Sequence, residues 1–346
     1  MAYISFQPTD FFSTTLYVGT GATDNAVTGV GFQPDATWIK DRDDAYSHRL
    51  WDAVNGATKY NTPDNSDAQG TNAQGLQSFD ADGFTVGSMA SVGENADNFV
   101  SWNWKAGTTS GISGGSITPT AYSFNTTSGF SIITYNGTGS SATIPHGLGV
   151  TPRIAIVKRS LGQQWCTNVG QISGTANNAL YLDATNVYHT SSAITTMDAT
   201  TISLGTDNMA NGSGEAYTMY AWTPIKGYSK MHQYRGNASS TDGPFVYCGF
   251  RPAFILIKAF NQITDWMMFD DKREGYNVDN DPLYANANVA EGTADNLDIL
   301  SNGFKIRAGS GGGSVNEINT NGEQYIYMAF AEFPIVSSNS KPGTAR

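Results

Sequence analysis

Charge is scarce in this sequence, and cysteine is almost missing. Asp, Glu, Lys and Arg make up 14% of the 346 residues, too few for long helices with charged outer faces. The two cysteines, Cys166 and Cys248, are too few for a disulfide framework, so we expect two reduced, buried thiols. These shortages exclude a helical bundle and a disulfide-stapled domain, and neither thiol is expected to be catalytic.

The sequence also lacks a basic patch and a long apolar run. The formal net charge is −11, and the 19 lysines and arginines are spread along the chain. Nucleic acids and anionic membrane surfaces bind clustered basic residues, so neither partner is expected. No stretch approaches the roughly 20 apolar residues of a membrane span. The opening residues MAYISFQPTDFF lack a secretory signal, so we expect a protein made in the cytoplasm without membrane insertion.

Glycine and aromatic residues are abundant instead, and one pattern occurs three times. The 38 glycines and 12% aromatics are typical of short strands joined by tight turns. A proline precedes a mostly apolar run that ends six residues later in a lysine: Pro34 to Lys40, Pro152 to Lys158, and Pro252 to Lys258. Further anchors keep an offset of 118 residues between the first two copies: Tyr17 and Tyr135, Phe84 and Ile202, and Trp104 and Trp222. Equal offsets of this kind indicate a triplicated unit.

The repeat defines the predicted domain organisation. We place a first repeat segment at residues 10–107, a second at 128–226 and a third at 227–336. Residues 1–9 form an N-terminal arm, residues 108–127 a Gly/Ser/Thr-rich linker, and residues 337–346 a C-terminal tail. Each segment contains seven or eight strand patterns, and the run after each proline is apolar in both alternating sets. The predicted fold class is therefore all-β, with three tandem antiparallel β-sandwich repeats of jelly-roll or lectin-like topology.

The recurring lysines are the first candidates for a binding role. Either they contact a ligand, or their stems pack over the core while the ammonium reaches water or a carboxylate, and we favour the second interpretation. Asp52 and Asp270 each follow their lysine by twelve residues, where an antiparallel strand returns, and Gly170 has that place in the second segment. A Lys–Asp pair shared by all three copies is therefore disfavoured.

Tryptophans follow the lysines in every copy, at Trp51, Trp165 and Trp266. Sugar sites use aromatic faces, but recurrence in all copies favours core packing. Adhesive residues are expected where the copies differ. These segments are DDAYSHR (43–49), HTSSA (189–193) and YNVDNDPLYANANVAEG (276–292).

Acidic clusters and histidines give no strong metal site. The clusters are DRDD (41–44), DADG (80–83), DKRE (271–274) and NVDNDP (277–282), and none has the ligand spacing of an EF-hand loop. NVDNDP remains the best place for calcium. His48, His146, His189 and His232 occupy different repeat positions, without the close spacing of a zinc site. No catalytic residue, metal ligand or cofactor is predicted, and the binding residues are left unassigned.

Six stretches together resemble a known domain type. They are GFQPDATWIKDRD, HRLWDAVNGATK, NFVSWNWKAGTTSGI, GYSKMHQYRGNASSTDGPFVYCGFRPAFILIK, LSNGFKIR and YIYMAFAEFP. In these stretches the chain resembles a repeated β-domain of tail-fibre and related virion proteins of marine tailed bacteriophages, including those of cyanobacterial hosts.

The resemblance implies a virion surface protein without enzymatic activity. Such a protein would be a tail-fibre or tail-tip component that presents loops to a host-surface glycan or protein, as a homo-oligomer and by analogy a trimer. The aromatic residues of MAYISFQPTDFF make the N-terminal arm our candidate for attachment to other virion proteins. Two alternatives stay open: a capsid decoration or tail adaptor with a purely structural role, and a polysaccharide depolymerase whose carboxylates meet at a junction.

Overall fold

The computed structural model describes residues 6–239, 241–273, 277, 281–293, 296–307 and 315–332. Their secondary structure consists of strands, four one-turn helices and a 3-10 turn at Pro8–Asp10. All strands pair antiparallel in six open sheets, which confirms the all-β fold class. Within the described part of the chain, every helix is too short to cross a membrane.

The first repeat segment forms a six-stranded and a three-stranded sheet. Their orders are β1-β9-β3-β4-β5-β6 and β2-β8-β7. The elements are β1 (Phe12–Val18), β2 (Asn25–Thr28), β3 (Ala36–Asp41), β4 (Arg49–Asp52), β5 (Lys59–Asn61), β6 (Gly70–Thr71), β7 (Leu76–Asp80), β8 (Gly83–Val86), α1 (Ala90–Gly93) and β9 (Asn98–Trp104).

The second repeat segment and the predicted linker before it form a seven-stranded and a three-stranded sheet. Their orders are β10-β11-β19-β13-β14-β15-β16 and β12-β18-β17. The elements are β10 (Ala121–Asn125), β11 (Phe130–Asn136), β12 (Ala142–Pro145), β13 (Ile154–Arg159), β14 (Cys166–Asn168), α2 (Gly170–Ser173), β15 (Asn178–Tyr181), β16 (His189–Thr190), β17 (Ile194–Met197), β18 (Thr201–Leu204), α3 (Asn208–Asn211) and β19 (Ala216–Trp222).

The third repeat segment forms a five-stranded and a three-stranded sheet. Their orders are β20-β27-β22-β23-β24 and β21-β26-β25. The elements are β20 (Ser229–Arg235), β21 (Phe245–Tyr247), β22 (Pro252–Ala259), β23 (Met267–Asp270), β24 (Leu283–Tyr284), β25 (Leu297–Leu300), β26 (Gly303–Ile306), α4 (Val315–Ile318) and β27 (Gln324–Ala331).

Strand register is the same at corresponding places in the three large sheets. The aromatic near the end of the last strand lies opposite the residue two positions after the proline of the proline-to-lysine strand. The pairs are Trp104 with Ala36, Trp222 with Ile154, and Phe330 with Phe254.

Buried apolar side chains form one central cluster and three outer clusters. The central cluster takes residues from all three large sheets, whereas each outer cluster joins one large sheet to one three-stranded sheet. On β3, for example, Trp38 belongs to the central cluster and its neighbour Ile39 to an outer one. The prediction that the proline-to-lysine strands are covered on both faces is therefore confirmed.

Candidate functional site

The three recurring lysines are buried at the ends of β3, β13 and β22. Each ammonium donates to backbone carbonyl oxygens: Lys40 to Asp44 at 3.0 Å, Lys158 to Gln163 at 2.6 Å, and Lys258 to Thr185 at 3.2 Å. Burial lowers the pKa of each ammonium to about 8. Lys258 also donates to Gln262 O at 3.4 Å in the loop after β22, so all three lysines fix the loops that follow their strands, and their ammonium groups do not face solvent.

The aspartates that follow the lysines lie at the opposite end of these strands. Asp52 is opposite Ala36, and Asp270 is opposite Phe254. Neither aspartate therefore pairs with its lysine. In the second segment Ala155 pairs with Asn168, so the next residue, Val169, lies opposite Ile154. Val169, not Gly170, therefore corresponds to Asp52 and Asp270.

Asp52 and Asp270 each accept a hydrogen bond from an aromatic donor of another segment. The Tyr220 hydroxyl donates to Asp52 at 2.7 Å, and Trp102 Nε1 donates to Asp270 at 3.1 Å. Tyr220 and Trp102 occupy corresponding places on β19 and β9, and Met328 has that place on β27. Val169 and Met328 both belong to the central cluster, so the third such junction is apolar on both sides.

Trp165 and Trp266 are buried at junctions between segments. Trp165 Nε1 donates to Thr62 O at 3.0 Å, and Trp266 Nε1 donates to Tyr181 O at 2.8 Å. In the first segment His48, not Trp51, stands directly before the corresponding strand, and its ring lies beside the backbone of Tyr284. Burial lowers the pKa of His48 well below its ordinary value, so the ring is neutral. All three side chains are core residues, unavailable as sugar platforms.

The loops that follow the lysines form a surface that we call the loop face. It consists of residues 42–48, 160–165 and 260–266 with the segments that they contact, 65–69, 185–189 and 286–291. The contacts are Gln163 N to Ser66 O, Tyr188 N to Phe260 O, and Glu291 N to Arg42 O, at 2.8 to 2.9 Å. Each contact joins a different pair of repeat segments, and all three loops leave the lysine end of their strands, so they lie at one end of the molecule.

Exposed apolar side chains concentrate on the loop face. Ile263 is 72% exposed and Leu161 68%, and Val289, Val187 and Tyr188 are between 37% and 43% exposed. These are five of the ten exposed large apolar side chains among the described residues. The Tyr188 ring stacks on that of Phe260 at a centroid distance of 4.1 Å, which holds the patch in place.

Two of the predicted adhesive segments meet on this face. Asn288 of 276–292 donates its side-chain N–H to Ala45 O of 43–49 at 3.1 Å. The segment 189–193 begins directly after Tyr188. Residues 276 and 278–280, which include part of NVDNDP, lie outside the described residues, as does Glu274 of DKRE.

A buried ion network closes the contact between the first and third segments. Arg42 donates to both oxygens of Glu291 at 2.7 and 3.0 Å, and Arg273 donates to Glu291 at 3.2 Å. Arg273 also donates to Asp270 at 2.7 Å. Sequence reasoning missed this network, since its members are far apart in the chain. Its only signal was an arginine within the otherwise acidic DRDD.

The acidic clusters have structural partners. Asp41 accepts the backbone N–H groups of Asp43 and Asp44 at 2.9 Å, and burial raises its pKa to about 6. Asp82 of DADG accepts those of Gly29 and Gly31. No three His, Cys, Asp or Glu side chains in the described ranges are placed to hold a metal ion.

An open cleft of about 390 Å³ is lined by Asp35, Val54 and the segment 120–123. Both carboxylate oxygens of Asp35 are occupied, one by Ser123 Oγ and the other by Ala106 N, each at 2.8 Å. The carboxylate thus attaches the segment before β11 to the first sheet.

The cleft and the acidic clusters have structural explanations, whereas the exposed apolar side chains of the loop face do not. We therefore take the loop face as the candidate functional site.

Comparison with known proteins assigns a family. No curated protein matches the chain. A family model described as "Domain of unknown function (DUF7483)" matches residues 7–334, which include all the strands described above. One family model thus spans the three repeat segments, and the chain belongs to the DUF7483 family.

Proposed function

We propose that this chain is a non-enzymatic surface protein of a bacteriophage virion, a tail-fibre or tail-tip component that binds the host surface through its loop face. The resemblance of the repeat anchors to virion proteins supports the location. The observation that carries the binding role is the concentration of exposed apolar side chains on that one face. Exposed apolar side chains gathered on one face of a protein mark interaction surfaces.

We further propose that the three repeat segments form three pseudo-equivalent β-sandwich units closed around the central cluster. Support comes from the strand order shared by the large sheets and from three junctions that use the same positions. The carbonyls of Thr62 and Tyr181 and the backbone of Tyr284 occupy corresponding places, each beside a buried ring of the next unit. A single chain then has the arrangement of a homotrimer, with three non-identical loops around one axis.

The chemistry of the face fits adhesion better than hydrolysis. Ile263, Val187 and Tyr188 form an apolar patch at the junction of the second and third segments, with Gln262 beside it. Tyrosines are among the residues that dominate binding energies at interfaces, and the exposed Ile263 and Val187 add apolar surface beside Tyr188. The carboxylates of Asp41 and Asp43 are instead used to hold backbone N–H groups.

Binding of purified protein to host cells tests the proposal. The double variant Leu161→Lys/Ile263→Lys should lose at least about tenfold in affinity, since it replaces the two most exposed apolar side chains of the loop face with charges. Val150→Lys is the matched control, because Val150 is 58% exposed but lies before β13, away from the loop face. The control should bind like the wild type.

Electron cryomicroscopy of intact particles tests the location. A loop face that projects from the tail supports host recognition. A loop face packed against other virion subunits would overturn it and leave a capsid decoration or tail adaptor. Release of sugars from host polysaccharide by the purified protein would overturn the non-enzymatic assignment.

A further inference from the structure

The outer edges of the three large sheets are not equivalent. Strands β1, β11 and β20 occupy the same place, each paired on one side with the last strand of its segment. In the second segment β10 covers the other side of β11. Among the described residues, β1 and β20 end their sheets.

The two open edges differ in their protection against strand pairing. β20 carries Lys230 and Arg235, and charged residues of this kind keep an edge from pairing with other strands. β1 has the sequence FSTTLYV without a charge, and it exposes 39% of Leu16 and 54% of Val18. β1 is therefore the unprotected edge.

The second segment shows how an added strand, β10, covers the edge that is open at β1. β10 lies antiparallel to β11 with Tyr122 opposite Ile133, and Ile133 is fully buried. The offset of 118 residues maps Ile133 onto Thr15, which is partly exposed. The same offset maps Ser123-Phe124-Asn125 of β10 onto Ser5-Phe6-Gln7, so the chain contains a sequence counterpart of β10 for the first segment.

The turn before β1 directs Phe6 away from the sheet of its own segment. The β10–β11 hairpin turns through Gly129 at φ +68°, where a Cβ would lie 2.3 Å from Thr223 O. Phe11 has the corresponding place in the first segment, with φ −136° after the 3-10 turn. Phe6 consequently packs on Tyr228 of the third segment, at a centroid distance of 5.4 Å.

We propose that the edge of β1 accepts residues 2–5 of a second copy of this chain as an added antiparallel strand. The register of β10 on β11 places Ile4 of one copy opposite Thr15 of the other. The pairing covers Leu16 and supplies hydrogen-bond partners to the open edge, the physical basis of strand addition. This interaction is independent of the loop face, and it assembles copies of the chain with one another.

Cysteine cross-linking with full-length chains tests the register. Ile4→Cys in one copy and Thr15→Cys in another should give a disulfide-linked dimer on mild oxidation, because facing residues of adjacent strands have the required spacing. The native Cys166 and Cys248 are buried and do not compete. The matched control pairs Ile4→Cys with His232→Cys, the corresponding position on the charged edge β20, and should give no dimer.

Two further measurements keep the proposal open to refutation. Leu16→Lys should reduce the mass measured by light scattering to that of one chain, whereas Gln233→Lys at the corresponding place on β20 should leave it unchanged. Wild-type protein that is monomeric at every concentration would overturn the proposal. So would an intramolecular disulfide in the double variant Ile4→Cys/Thr15→Cys, since the arm would then cover its own sheet. Neither result involves host cells, so this proposal fails independently of the proposed function.

Discussion

Removing one hydroxyl at the junction of the first and second segments should destabilise the whole protein. Tyr220 is buried and donates to the carboxylate of Asp52, which is itself only 1% exposed. In Tyr220→Phe the carboxylate keeps its two bonds from Asn55 and loses the third. Hydrogen bonds to buried charged groups contribute about 2 kcal/mol, so we expect that loss in the free energy of unfolding. For a chain of this size it corresponds to a melting temperature lower by about 3 °C.

The loss should depend on pH, and the sign follows from the protonation of Asp52. Burial raises the pKa of Asp52, and the Tyr220 hydroxyl opposes that rise by stabilising the ionised form. Without the hydroxyl the native-state pKa rises further, so the native variant takes up a proton at higher pH than the wild type. The destabilisation should therefore be larger at high pH, where the Asp52 carboxyl is ionised, than at low pH, where it is protonated and accepts a weaker neutral hydrogen bond.

Denaturant unfolding at several pH values measures this effect. Tyr135→Phe is the control, because the Tyr135 hydroxyl is equally buried but donates to a neutral acceptor, the carbonyl of Ala210, at 2.7 Å. Its cost should stay near 1 kcal/mol across the same pH range. A loss in Tyr220→Phe that is below about 0.5 kcal/mol or independent of pH would refute this account of the junction.

Three further predictions concern the lysines, the ion network and the β10–β11 turn. Lys158→Met tests the buried lysines by urea titration at several pH values. The wild type should gain stability relative to this variant from about pH 8 to pH 10, because the native ammonium loses its proton near its pKa of about 8, whereas the unfolded one keeps it until about 10.5. Glu291→Gln should cost about 2 kcal/mol by calorimetry, because it removes the carboxylate that joins Arg42 to the buried Arg273, which keeps its ion pair with Asp270; an unchanged melting temperature would contradict the network. Gly129→Ala should destabilise by about 2 kcal/mol more than Gly214→Ala, since both need positive φ but only Gly129 lacks room for a Cβ; equal costs in thermal unfolding would argue against this.

Equal spacing in the sequence carried most of the fold information. The offset of 118 residues aligns Trp104 with Trp222, and both lie opposite the first apolar residue of their lysine strand. Alternating apolar sets also predicted that these strands are buried on both faces. The apolar pattern could not show that one face of each strand is covered by its own segment and the other face by the two neighbouring segments. A buried strand has the same apolar pattern whichever element covers it.

Counting from the lysines failed where loop lengths differ. Trp165 follows Lys158 by seven residues and Trp266 follows Lys258 by eight, so Val169 rather than Gly170 corresponds to Asp270. The match of Trp51 to these tryptophans was also wrong, since His48 stands at their position. Hairpin register sets the positions on the returning strand, and a one-residue change in a loop alters every count across it. The apolar loop face left no signal of its own, because its side chains come from separate segments.

Contacts between the two ends of the chain have a consequence for synthesis. Phe12, on the first strand, stacks on Phe330, on the last, at a centroid distance of 4.9 Å, and Arg42 meets Glu291 across 249 residues. Until β27 has left the ribosome, the apolar inner faces of the first two segments are not completely covered and stay exposed to solvent. The central core can therefore close only after β27 has been synthesised, and until then its exposed apolar surface favours aggregation or chaperone binding.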